Sequence, residues 1–161
     1  MKLSEKVALT AETQIGVHEE GGNNQGANIL KYQQCTWLTP GPWAWCAAFV
    51  DWCVVNAMKS LSTKFTFKAP QTAGAWDLEN WCHNVDNSAV LNKPHHGDIQ
   101  RGDIVIFNFH HTGIALSSPH ANGVFWTCEG NTNDSGSRDG DGVYKKTRNV
   151  SQVRSVIRFT V

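Results

Sequence analysis

The sequence predicts an α+β domain, helices first and an antiparallel sheet after them, and three observations carry the prediction. Apolar residues recur at helical spacing as far as Cys82. From Gly102 onward, short β-rich runs are separated by His, Gly, Asn and Asp turns. The two kinds of segment do not interleave as they would in a chain of βαβ units.

Ser4 is a suitable N-cap for a first helix through Ile15, with Val7, Ala8, Ala11, Gln14 and Ile15 on one stripe and Gly16 ending it. The next stretch is turn-rich to Gly22 and then reads as a short helix from about Asn24, with Ile29, Leu30 and Tyr32 on its apolar side. Its Glu19-Glu20 and Asn23-Asn24 pairs are candidates for lining a substrate cleft, and a solvated loop is the alternative. Thr39-Pro40-Gly41-Pro42 then forces an extended, turning chain, because proline fixes its own φ and biases the preceding residue away from helix. From Ala44 to Val55 the chain is apolar except for Asp51, long enough for three turns of a buried helix that starts near Trp45 and Cys46. Cys53, two turns beyond Cys46, reads as a small core residue. Pro70 is placed to open a further amphipathic helix carrying Trp76, Leu78, Trp81 and Cys82. DIVIFNF, HTGIALSS, GVFWTCEG, DGVYKKTR and QVRSVIRFTV are the five predicted strands.

Composition narrows the function. A chain of 161 residues fits one domain with a core of its own. Fourteen basic and 14 acidic side chains give no net charge, and only 17% of residues are charged, so no global positive field gathers nucleic acid or coats an anionic membrane. The longest apolar run, Ala44 to Val50, falls well short of the roughly 20 residues a membrane span needs. The opening MKLSEKVALTAETQIG carries Glu5 and Glu12 and no signal-peptide core, so the expectation is a soluble chain made in the cytoplasm. Five cysteines, an odd number without an export signal, favour reduced thiols of which one is reactive. No CxxC pair offers a structural zinc site. Seven tryptophans suggest aromatic surface lining a cleft, with core packing as the alternative.

Cys46 stands where chemistry is expected. A thiol in the first turn of a buried helix meets unpaired backbone N–H groups and the positive end of the helix dipole, which favour thiolate over thiol. A nucleophilic cysteine needs a base, and the base needs an orienting group. His111 opens one predicted strand and Glu129 ends the next, so an antiparallel pair joined through SSPHANG puts both at one end of the sheet. Asn131, just beyond, is placed to orient or polarise the same site. Glu129 as a strand-end charge and Asn131 as a turn residue are the alternatives. His110 competes for the base role, but strand alternation sends it and His111 to opposite faces.

The strings GPWAWCAAFVDWC, GDIVIF, HTGIAL and EGNTN, in that order, resemble the CHAP domains of the NlpC/P60-like cysteine peptidase superfamily, in particular the single-domain type of phage endolysins. The resemblance runs from about Gly16 to Arg148. It implies a papain-like fold and hydrolysis of a peptidoglycan amide, at the glycan-to-peptide link or within the peptide. By motif, it implies Cys46 as nucleophile, His111 as general base and acid, Glu129 as the acid orienting it and Asn131 as a fourth polar member. Trp43 and Ala44 stand between the Gly41-Pro42 turn and Trp45-Cys46, where many relatives place the turn directly before Trp-Cys. Trp43, Trp45, Trp126, Asn23 and Asn24 are the expected substrate contacts.

No cofactor or metal, no nucleic acid and no stable membrane insertion are expected; a monomer acting at the bacterial cell wall is the expectation. An interbacterial effector of the same chemistry, or a catalytically dead wall-binding module, are the alternative functions. His95-His96 reads as an exposed loop pair. Asp134, Asp139 and Asp141 lack the ligand spacing of a calcium loop and read as a hairpin near the cleft. Lys145, Lys146, Arg148, Arg154 and Arg158 form either a solvated sheet face or a basic face toward an anionic surface.

Overall fold

The computed structural model describes residues 1–85, 88–94, 98–133, 135–136 and 139–161. Four helices, α1 (Leu3–Glu12), α2 (Ala27–Gln33), α3 (Cys46–Ser60) and α4 (Asp77–His83), precede the strands. Those are β1 (Val90–Pro94), β2 (Ile104–Phe107), β3 (Thr112–Ala115), β4 (Val124–Thr132), β5 (Gly142–Asn149) and β6 (Val153–Phe159). They form one sheet of order β1-β6-β2-β3-β4-β5 in which every neighbouring pair is antiparallel. The α+β layout and all five predicted strands are therefore present. Among the described residues no helix is long and apolar enough to cross a membrane.

Lys2, not Ser4, is the N-cap of the first helix, which begins at Leu3 without a side-chain cap; three further boundaries differ from the sequence reading, each for a local reason. The first helix stops at Glu12, and the chain leaves it to pair with β5, where Gly16 N–H donates to Val143 O and Val143 N–H to Val17 O. The second begins at Ala27, because left-handed Asn24 and Gly26 (φ 57° and 126°) close a turn first. The helix expected from Pro70 begins only at Asp77. The intervening residues run past the start of α3, and the Trp76 indole N–H donates to Phe107 O at 3.1 Å. The sequence reading also missed β1. Its Asn-Lys-Pro ending shows no alternation, and it sits at the sheet edge, bonded only to β6, where a proline is tolerated.

Alternation divides the sheet into two apolar faces. Ile104, Ile106, Ile114, Cys128, Val143 and Ile157 join Leu3, Val7, Phe49 and Val54 of the helices in the main core. Val105, Phe107, Ala115, Phe125, Val153 and Val156 make a smaller cluster on the opposite face. His111, just before β3, continues the set Gly113 and Ala115. Glu129 continues Phe125 and Thr127, so both side chains belong to the second face.

Gly130 lets α3 reach that end of the sheet. A Cβ built there would stand 2.7 Å from Phe49 Cβ and 2.8 Å from Trp45 Cζ3, closer than real Cβ atoms approach. The first turn of α3 thus lies directly on the β4 backbone, next to the β4/β5 bulge between Glu129 and Thr132. Gly130→Ala is expected to lower stability by about 1–3 kcal/mol through overpacking against a fully buried Trp-Phe wall. Urea unfolding of the two proteins measures it; an unchanged midpoint would contradict this packing.

Candidate active site

The turn before α3 is held from behind by Gln33, a buried side chain at the end of α2. Its Nε2 donates to Gly41 O (2.8 Å) and Trp43 O (3.1 Å), and its Oε1 accepts from Gly41 N–H. Trp43 adds an indole N–H to Thr39 O at 2.9 Å. The residues between the Gly-Pro turn and Cys46 are thereby fixed, and Cys46 becomes the first residue of a helix with no side-chain cap. Its free first-turn N–H groups remain available to an anion.

Cys46 is 7% exposed, and its exposed part opens into a cavity of about 260 Å³ walled by Trp43, Ala44, Ala73, Gly74, Ala75 and His110. Three larger grooves are present among the described residues: two of about 420 Å³, at Thr66–Gln71 with Trp81 and at Asp98–Gln100 with Ser118–Gly123, and one of about 320 Å³ beside Leu30 and Gly41. Chemistry rather than size distinguishes the cavity at Cys46.

Behind Cys46 lies a chain of buried ions. The wholly buried His111 donates from Nε2 to Glu129 Oε1 at 2.9 Å, which fixes the tautomer when the ring is neutral. Its Nδ1 is buried without a hydrogen bond of regular geometry and interacts with the Cys46 thiol. Burial pushes the imidazole pKa down, but the thiol and Glu129 together outweigh it and raise it to about 9.

Glu129 is saturated. Thr127 Oγ1 donates to Oε2 at 2.5 Å, Arg148 Nε to Oε2 at 2.8 Å and Arg148 Nη2 to Oε1 at 2.5 Å. Burial works to raise its carboxyl pKa, yet Arg148 and then His111 hold it at about 2. Arg148 is itself buried, pairs across the ladder with Phe125, and spreads its guanidinium over the rings of Phe107 (5.2 Å) and Phe109 (5.1 Å). Gly113 makes room for the pair, since a Cβ there would lie 2.6 Å from Glu129 Cγ.

The structure thus brings Cys46, His111 and Glu129 together. Asn131 is adjacent but separate: it is buried and left-handed (φ 56°) at the bulge, and its amide has no hydrogen-bond partner. Trp43 walls the cavity. Trp45 corrects the expectation of a substrate contact, because it is wholly buried, stacks on Tyr32 and donates from Nε1 to Glu19 Oε1 at 2.9 Å. Trp126, 40% exposed beneath Lys145 Nζ, does not line the cavity. Asn23 is exposed, while Asn24 donates to Pro42 O and borders a separate hollow of about 320 Å³ with Leu30, Gln33 and Gly41.

His110 corrects the alternation argument. It is left-handed (φ 58°), so it ends the β2–β3 turn and does not continue the strand; His110 lines the cavity at Cys46, whereas His111 is buried and bonded to Glu129. The basic face also dissolves into pairs: Arg148 with Glu129, Arg154 with Glu79, Arg158 with Asp103, Lys146 with Asn133 O and Lys145 on Trp126. Sequence reasoning missed Arg148 as a site residue because it counted charges; the available signal was its place on the strand neighbouring Glu129. Asp141 accepts from Tyr144 Oη, whereas His95, His96 and Asp134 lie outside the described residues.

No protein-family model matches the chain, and no curated protein sequence does. Among solved structures it resembles the endolysin LysIME-EF1, with a TM-score of 0.59 and 18% sequence identity across 98% of this chain. The chain spans 64% of that endolysin's length. The likeness is one of fold: helices before an antiparallel sheet is an architecture this chain shares with an endolysin.

Proposed function

We propose that the protein is a cysteine-dependent hydrolase that cleaves an amide bond of bacterial peptidoglycan, of the CHAP type and with the lytic role of a phage endolysin. The observation that carries this reading is the buried His111, bonded to Glu129 through Nε2 and turned with Nδ1 toward the thiol that begins a helix. The ordered motifs and the fold shared with an endolysin supply the substrate class.

The chemistry follows from the parts. Cys46 Sγ, as thiolate, attacks the amide carbonyl carbon, and the carbonyl electron pair moves onto oxygen, where the Cys46 backbone N–H stabilises it. His111 Nδ1 gives its proton to the amide nitrogen; the C–N bond breaks, the amine leaves and a thioester remains. Water then attacks the thioester as His111 Nδ1 takes its proton, and C–S cleavage releases the carboxylic acid and returns the thiolate facing an imidazolium. Glu129 holds the ring throughout, and Arg148 keeps Glu129 ionised.

Replacing Cys46 by Ala is expected to lower release of soluble fragments from purified peptidoglycan by about 10⁴-fold or more while the fold persists. Residual lysis within tenfold of wild type would remove Cys46 from the reaction. Mass spectrometry of the fragments names the bond, because a freed intact stem peptide and two peptide pieces differ in mass.

The pH profile tests the ion chain. A raised His111 pKa keeps the proton-donating form as pH rises, so kcat/KM is expected to fall on the alkaline side near pH 9. Glu129→Gln removes the negative partner that supports the imidazolium, so that fall should move to lower pH. A fall at the same pH in both proteins would dissociate Glu129 from His111 titration.

A further inference from the structure

We infer that His110 is a specificity contact: it binds a substrate carboxylate next to the amide that Cys46 attacks. The inference rests on the peptidoglycan reading above and deepens it.

Three observations converge on this residue. His110 adopts φ 58°, an uncommon conformation for a non-glycine residue, at the turn that leads into β3. The ring is also held in place. It packs on Trp76 at 4.5 Å between centroids, and Trp76 is fixed by its bond to Phe107 O and by the Arg154 guanidinium 4.2 Å from its ring. Arg154 is itself bonded to Glu79, so it serves as a support for the stack.

The cavity supplies the rest. Leu38, Trp43, Ala44, Ala73, Gly74 and Ala75 line it with Cys46 and His110, so the surface around the thiol is mostly apolar. Cys46 and His110 are the ionisable groups lining it among the described residues. His111 is buried behind the thiol and committed to Glu129, whereas His110 is exposed and neither of its ring nitrogens has a protein partner. A ring N–H presented over an apolar floor suits an oxygen anion, and the bond is stronger when the ring is protonated. Carboxylates of peptidoglycan stem peptides are either free or amidated, so the two forms differ in the group His110 would read.

The test uses two muropeptide preparations that differ only in whether the stem carboxylates are free or amidated, with wild type, His110→Gly and His110→Asn. Both replacements tolerate a left-handed backbone, so the fold is preserved. Wild type is expected to favour the free carboxylate by about tenfold in kcat/KM, expressed mainly in KM, and both variants should bring that ratio toward one. An unchanged ratio in the variants, or no preference in wild type, overturns the inference while leaving Cys46-dependent cleavage intact. If wild type cleaves neither preparation, the peptidoglycan reading fails and the inference with it.

Discussion

The carboxylate of Glu129 is the constraint around which the site is organised. An ionised carboxyl group withdrawn from water is costly unless its oxygens are paired, and removing one partner of such a pair typically costs about 3–5 kcal/mol. Here the two oxygens take hydrogen bonds from Arg148, His111 and Thr127, supplied by three strands or strand ends of one sheet. The neighbouring structure serves this arrangement. Gly113 has no side chain because Glu129 crosses above it, and Phe107 and Phe109 sheath both the Arg148 guanidinium and the His111 ring. With the imidazole fixed by its Nε2 bond, its other nitrogen has one direction to point, and α3 starts there.

The orientation of α3 depends on a different device, the absence of a side chain at Gly130. The helix lies on the β4 backbone itself, which brings its first residue over the end of the sheet so that a thiol on the helical side can meet an imidazole from the opposite face. Two polar side chains near this crossing are left without hydrogen-bond partners, Asn131 and Asp51. Burial pushes the Asp51 carboxyl well above the usual range, against a backbone contact from Thr72 and with the nearby Cys46 adding to the rise.

What the sequence could convey was local or periodic. Helical stripes and strand alternation located α1, α3 and five strands, and the order of Cys46, His111 and Glu129 along them placed all three at one end of the sheet. Its failures share a cause. Trp45 and Trp43 look alike in a string, but Trp45 turns into the core and Trp43 toward the cavity, and only the packing of α2 against the turn decides which. Arg148 looked like one basic residue among five because charge counting carries no partner information. Alternation does not describe His110, because a single left-handed residue before β3 breaks the period that alternation assumes. Strand β1 has no alternation to read, since it lies at an edge and is bonded on one side.

The account depends on Cys46 being an activated thiol and not an inert buried one, and its rate of alkylation tests that most directly. Iodoacetamide labelling of the native protein at neutral pH, read by mass spectrometry for each cysteine, compares Cys46 with Cys35, which is more exposed but whose thiol is made less acidic by burial. Cys46 should be labelled first, and faster than a thiol in an unstructured peptide, despite being 7% exposed. Labelling of Cys46 no faster than that of the free thiol would contradict the account.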